Sequence, residues 1–135
     1  MNQPQFEHEK LRAYQEALNF AAWVEPVMPA RLAARDQLDR SCTSIALNIA
    51  ARNGKRSHPD RCRYLDIARG SALESAACLD LLVARKKLTP EAVVEGKAHL
   101  AAVVSLVAGL IARFGGNVQE ESNAYGSELV EHEND

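Results

Sequence analysis

Apolar residues recur along this chain every three or four positions, the spacing that lines one face of an α-helix. Leu11, Tyr14, Leu18 and Ala21 form a first stripe, widened by Phe20, Trp23 and Val24, and predict a helix from Phe6 to Glu25. Pro26 and Pro29 interrupt the pattern and place a turn over Pro26 to Ala30, because proline lacks the N–H that a helix interior needs. A second helix follows from Ala30 to Asn53, with Leu38, Cys42, Ile45 and Ile49 as its core stripe. Asn53 and Gly54 both tolerate positive φ and are expected to stop it.

The third helix has a readable start. Ser57 stands as N-cap, Pro59 in the first turn and Asp60 in the capping-box position. Leu65, Ala68, Ala72, Ala76, Leu79 and Val83 then keep the helical rhythm until Arg85, Lys86 and Lys87, whose positive charge suits a helix C-terminus. Thr89, Pro90 and Glu91 open the fourth helix, which is expected to reach Phe114 and to stop at Gly115-Gly116-Asn117. No segment alternates apolar and polar residues as a strand would. The chain is therefore all-α. Short connections make consecutive helices antiparallel neighbours, so residues 1–116 are expected to form an up-down-up-down four-helix bundle and residues 117–135 an acidic, disordered tail.

From Ala98 to Ala112 the fourth helix is apolar on almost every face. A helix of that kind is buried all round, whereas a lone four-helix bundle leaves each helix a solvent face. A second subunit is the simplest cover, so a homo-oligomer is expected. Leu100 to Ala112 is too short to span a bilayer, and Met1 to Phe6 carries no apolar leader. The expectation is a cytoplasmic protein with no membrane partner. Cys42, Cys62 and Cys78 have no close spacing and fit free buried thiols in a reducing compartment.

A composition of 47% hydrophobic and 25% charged residues is ordinary for one globular domain of this 135-residue length. The net charge of −2 hides a marked asymmetry. Between Arg31 and Arg69 the basic residues exceed the acids by about five, while Glu120, Glu121, Glu128, Glu131, Glu133 and Asp135 face no Lys or Arg after Gly116. Arg52, Lys55, Arg56, Arg61 and Arg63, with His58, gather around one interhelical loop. Such a basic corner can neutralise phosphates in a salt-sensitive, sequence-independent way. With Tyr64 as the one aromatic there, base stacking is not favoured.

Catalysis needs a nucleophile, a base and an orienting group in one pocket. His8, His58, His99 and His132 fall in no catalytic motif, and there is neither a P-loop nor a G-x-G-x-x-G run. His58 and Cys62 are four apart, half of a zinc site, but further ligands at suitable spacing are missing, as are the E-x-x-H pairs of di-iron bundles. No enzyme, metal or cofactor is expected. Beside the core stripe of the second helix runs a polar line, Ser41, Ser44, Asn48 and Arg52, with Gly70, Ser71 and Glu74 on nearby turns of the third helix. A buried layer is expected in which Ser44, Asn48, Ser71 and Glu74 bond across the two helices, with Gly70 allowing close approach. Its role is to set register.

The run Ser44-Ile45-Ala46-Leu47-Asn48-Ile49-Ala50, the basic loop, Asp60-Arg61 and Ile67-Ala68-Arg69-Gly70-Ser71-Ala72-Leu73-Glu74 together resemble a bacterial four-helix-bundle family named after proteins encoded in intervening sequences of 23S rRNA genes. The resemblance covers about Leu11 to Phe114 and rests on an S-I-x-x-N-I-A-E-G run and an A-x-G-S-x-x-E run. It implies a ring-like homopentamer without enzymatic activity. More distantly, the chain is similar to accessory proteins of diversity-generating retroelements, which implies RNA or DNA and a reverse transcriptase or other protein as partners. One departure stands out. Ala51-Arg52 replaces Glu-Gly, a change of about +2 in local charge, and is expected to prolong the second helix to Asn53. The functional expectation is a nucleic-acid-binding oligomer. A purely structural or protein-interaction module and a small-ligand carrier using Asn48 and Glu74 are the alternatives.

Overall fold

The computed structural model describes residues 6–28 and 33–122. Four helices carry the fold, α1 (Arg12–Val27), α2 (Ala33–Ala51), α3 (His58–Ala84) and α4 (Val94–Ser122). Short 3-10 turns occupy Glu7–Lys10, Arg52–Gly54 and Glu91–Val93, and the described residues include no strand. Each helix packs on its two neighbours around a ring, α1 on α2, α2 on α3, α3 on α4 and α4 on α1.

Side-chain pairs fix the directions. Ser41 meets Ser75 while Ser44 meets Ser71, so numbers rise on α2 as they fall on α3. Asp80 with Lys97 and Cys62 with Ile111 show the same for α3 and α4, and Glu16 with His99 ties α1 to α4. This is the antiparallel up-down-up-down bundle that the short connections predict. Leu38, Ile45 and Ile49 of α2, Leu65 and Leu79 of α3 and Leu100, Val103 and Val107 of α4 are fully enclosed in the core.

The caps read from the sequence are made. Ser57 Oγ accepts the Asp60 N–H at 3.2 Å, and Thr89 Oγ1 accepts the Ala92 N–H at 3.1 Å. At the end of α3, Lys86 takes φ 62°. Its N–H reaches the Val83 carbonyl and the Lys87 N–H reaches the Leu82 carbonyl, both at 2.9 Å. This is a Schellman closure with lysine where glycine is usual. Replacing Lys86 with glycine is expected to stabilise the fold by about 1 kcal/mol in urea unfolding. A loss of stability would mean that the lysine side chain holds the turn.

Several features differ from the sequence expectation, the first being that α1 starts at Arg12, after a 3-10 turn and an extended Leu11, and not at Phe6. The inward stripe of α1 is Ala13, Ala17, Phe20 and Val24, while Leu18 is 46% exposed. Leu11, Tyr14 and Ala21 pack only at its margin. The helix also runs through Pro26 to Val27, because a proline in the last turn forgoes only one helical hydrogen bond. Of the expected turn, Pro29 and Ala30 lie outside the described residues.

α2 ends at Ala51, and Arg52–Gly54 tightens into a 3-10 turn in place of two more α-helical residues. No described glycine has positive φ. Finally, α4 continues past Gly115-Gly116-Asn117 to Ser122. Glycines cost a helix about 1 kcal/mol each relative to alanine, which α4 tolerates after so long an apolar run. Residues 123–135 of the expected tail lie outside the described residues.

Candidate nucleic-acid interface and interhelical polar layer

The polar layer is built from serines. Ser71 Oγ donates to Ser44 Oγ at 2.8 Å, and Asn48 Nδ2 donates back to Ser44 O and Oγ at 2.8 and 3.1 Å. One turn further in, Ser41 and Ser75 share a buried hydrogen bond of 2.7 Å. Ser41 Oγ also reaches the Leu38 carbonyl at 3.2 Å and Ser75 Oγ the Ser71 carbonyl at 3.0 Å, so either hydroxyl can supply the proton of the shared bond. The pattern is local in origin: serines at helical spacing on facing stripes of α2 and α3 bring short hydroxyls together without holding the helices apart.

Asn48, expected to bond across to α3, instead bonds Ser44 of its own helix, because the i−4 residue is within its reach, and two further expected members take other places. Glu74 is exposed and accepts from Gln37 at the α2–α3 surface, outside the serine layer. Gly70 is exposed too, and a methyl group there would meet nothing within 4 Å, so it serves no close approach inside the bundle. The close approach belongs to Gly96, where an added methyl would overlap the ring of Trp23. Ser75 was not singled out from the sequence, although it continues the spacing of Ser71. Changing Ser75 to alanine is expected to cost about 1 kcal/mol. Adding Ser41→Ala should then cost less than it does alone, as a double-mutant cycle by urea unfolding can show. Strict additivity would mean that the two hydroxyls act independently.

The basic corner forms where the Arg52–Gly54 turn packs on the ends of α2 and α3. Arg61 Nε donates to the Lys55 carbonyl at 2.9 Å and pins the first turn of α3 to the loop. Lys55 Nζ and the Arg63 guanidinium lie 4.7 and 5.1 Å from the centre of the half-buried Tyr64 ring, two cations on one aromatic. Arg56 is exposed. Arg52 is not part of the outer surface: only 6% of it is accessible. Burial and the like charges of Arg61 and Arg113 push its guanidinium below its ordinary pKa.

Arg113 is a member that the sequence reading missed, since it lies on α4, fifty residues and more from the loop. Cys62 Sγ, 4.0 Å from the Ile111 carbonyl, marks where α4 passes this end of the bundle. Asp60, in the first turn of α3, pairs with Arg63 at 3.6 Å.

Thiol, metal and membrane chemistry find modest footing. Cys42 and Cys78 are buried and Cys62 half-buried, and burial raises all three thiols above their ordinary pKa, which disfavours the nucleophilic thiolate. Among the described residues no group of three or more His, Cys, Asp or Glu side chains could hold a metal. Glu91–Arg113 is long and apolar enough to cross a membrane by length and composition, a longer stretch than the apolar run read from the sequence. In this fold it packs between α1 and α3.

A family model described as 23S rRNA-intervening sequence protein matches residues 9–109. A crystal structure of a protein of unknown function from the S23 ribosomal protein family of Bacteroides thetaiotaomicron is similar to this chain, with a TM-score of 0.67 and 25% sequence identity, covering 73% of this chain and 97% of that one. No curated protein matches.

Proposed function

The chain belongs to the 23S rRNA-intervening sequence protein family, and as a member of it we propose that it is a non-enzymatic, homo-oligomeric bundle that binds RNA or DNA through its basic corner. One observation carries the nucleic-acid part: Lys55, Arg56, Arg61, Arg63 and Arg113 come from a loop and two helices to one end of the bundle. Positive groups spaced over such an end can follow a phosphate backbone, and no base-reading geometry is needed. A protein partner, a reverse transcriptase among them, fits the same end, and the proposed setting is the cytoplasm.

Self-association is supported by the outer face of α4. Val94, Ala98, Ala101, Ser105, Gly109 and Ala112 are exposed at helical spacing, with Val94 64% accessible. Leu47, Ile67, Leu73 and Leu81 leave further apolar area on α2 and α3. Neither Gly70 nor Gly109 has a neighbour within 4 Å of where a methyl would stand, so a second copy can approach both closely. The family resemblance supplies the number five. A ring would present the corner once per subunit, and repeated weak contacts then gain avidity.

The test is a titration of labelled RNA and DNA at several salt concentrations, with the assembly followed by light scattering. The protein is expected to be an oligomer and to bind with little sequence preference. Replacing Lys55, Arg56 and Arg61 with glutamine should leave assembly intact and flatten the log–log salt slope by about 2 to 3. Removing residues 123–135, with their four acids Glu128, Glu131, Glu133 and Asp135, should tighten binding and leave the thermal midpoint nearly unchanged. No binding at low salt, with or without that segment, would favour the purely structural module. A monomer at micromolar concentration would overturn the reading of α4.

A further inference from the structure

We infer that the aromatic stack at the Glu7–Lys10 turn is a base-stacking platform, and that the nucleic acid taken at this end of the bundle is single-stranded. The inference rests on the reading of the basic corner for its phosphate contacts. Tyr64, the aromatic that the sequence places in the corner, is already engaged. It is half-buried, with Lys55 and Arg63 over its ring at 4.7 and 5.1 Å from the centre. The fold brings other aromatics to the same end. Glu25 meets Arg35 where α1 passes into α2. From there α1 runs back to Arg12 over about 20 Å, and α2 runs on to Ala51 over about 24 Å. Helix α4 gives the same placement independently. Gly96 lies against Trp23 and His99 against Glu16, so α1 falls in number as α4 rises toward Ile111, which touches Cys62 in the first turns of α3. The Glu7–Lys10 turn therefore sits at the end that carries the Arg52–Gly54 turn, and it packs on both α1 and α2.

Phe6 is 61% exposed, large and apolar. Its ring stacks on His8 with centroids 5.8 Å apart and planes 16° apart, and His8 meets Tyr14 edge-on at 4.7 Å. Both are favoured ring geometries. The stack thus begins at Tyr14, packed on the core margin, and ends in an exposed ring. The backbone presets that ring. Phe6 N–H donates to Glu9 Oε2 at 2.7 Å, and Glu9 N–H donates to the Phe6 carbonyl at 3.1 Å. A ring held in advance loses little freedom on meeting a base. Glu7 pairs with Lys10 at 3.5 Å, and Arg12 is exposed just beyond, so the turn is not a one-sided acidic barrier to phosphates. The platform and the corner flank the end of α2. A helix is about 10–12 Å across, so one oligonucleotide can lie over both. Only a single strand offers its base faces there, since a duplex keeps them stacked inside. Stacking accepts every base, which agrees with binding that has little sequence preference.

The experiment titrates the full chain with labelled 12-mers of equal length: single strands, their duplexes, and an abasic strand that keeps the phosphates and lacks the bases. RNA and DNA are run alike, and whichever sugar binds more tightly must show the pattern. Single strands are expected to bind about tenfold more tightly than the abasic strand, and more tightly than the duplex. Phe6→Ala should remove that tenfold on single strands and leave the abasic strand, the duplex and the salt slope unchanged, because no phosphate contact is lost. Phe6→Tyr should restore single-strand binding, which a merely disturbed turn would not do selectively. Equal affinity for single and abasic strands, tighter binding of the duplex, or a Phe6→Ala loss common to all probes would overturn the platform and leave the phosphate reading of the corner standing. Retention of no probe at low salt would overturn both.

Discussion

Phe20→Ala is expected to lower the stability of the bundle by about 3–5 kcal/mol. Phe20 is fully enclosed at 0% exposure and is among the largest side chains in the core. Its ring stacks on Trp23 with centroids 5.8 Å apart. The other inward positions of α1 are Ala13, Ala17 and Val24, all smaller. Phe20 is therefore the largest buried side chain on the inward face of α1, and its removal leaves a cavity in the core. Urea unfolding at one protein concentration measures the loss, since coupling to assembly would otherwise add to it. Leu18→Ala, on the 46% exposed flank of the same helix, is the control and should cost much less. Equal losses at the two positions would mean that the inward face of α1 has been misplaced.

Gly96→Ala is expected to destabilise by about 1–3 kcal/mol, the usual cost of overpacking. Helix propensity alone predicts the opposite sign, a gain of about 1 kcal/mol for alanine over glycine in a helix interior. Contact decides between them. A methyl at Gly96 would lie 2.6 Å from Trp23 Cε3 and nearer still to two other ring atoms. The indole could retreat only by giving up its stacking on Phe20. In a Trp23→Ala background the obstacle is gone, so Gly96→Ala should there turn neutral or stabilising. A double-mutant cycle reads this directly, and the expected coupling is large because the two groups would touch. If Gly96→Ala stabilises the parent protein, Trp23 moves aside at little cost and the α1–α4 contact is looser than the structure shows.

Helix α1 shows where sequence patterning stops being decisive. Its residues offer two apolar stripes, Leu11-Tyr14-Leu18-Ala21 and Ala13-Ala17-Phe20-Val24, and both have helical spacing. The larger side chains favour the first, yet the second faces the core. Periodicity states that a helix has an apolar side; it does not state its rotation when two sides compete. That rotation follows from the facing helices, and small alanines let α1 come close to them. The polar line of α2 has the same lesson at finer grain. Ser44 and Ser71 were legible as partners because each lies on an apolar margin at the same level of an antiparallel pair. Glu74 shared their spacing, but its length carries the carboxylate to the surface, where Gln37 meets it.

What the sequence by itself determined is the local order of the chain: four helices, the Ser57 cap of α3 and the Thr89 cap of the turn that leads into α4, the core stripe of α2, the antiparallel succession, and the motifs shared with the family. These depend on interactions between residues no more than four apart, or on connections too short to allow another path. Tertiary structure alone decided which side of α1 is inside, that Gly96 rather than Gly70 is the point of close approach, that Ser41 bonds Ser75, and that Arg113 of α4 joins a buried Arg52. Each of these pairs residues on different helices. Their meeting depends on helix rotation and axial register, which are set by how all four helices pack together, and local spacing carries no record of either.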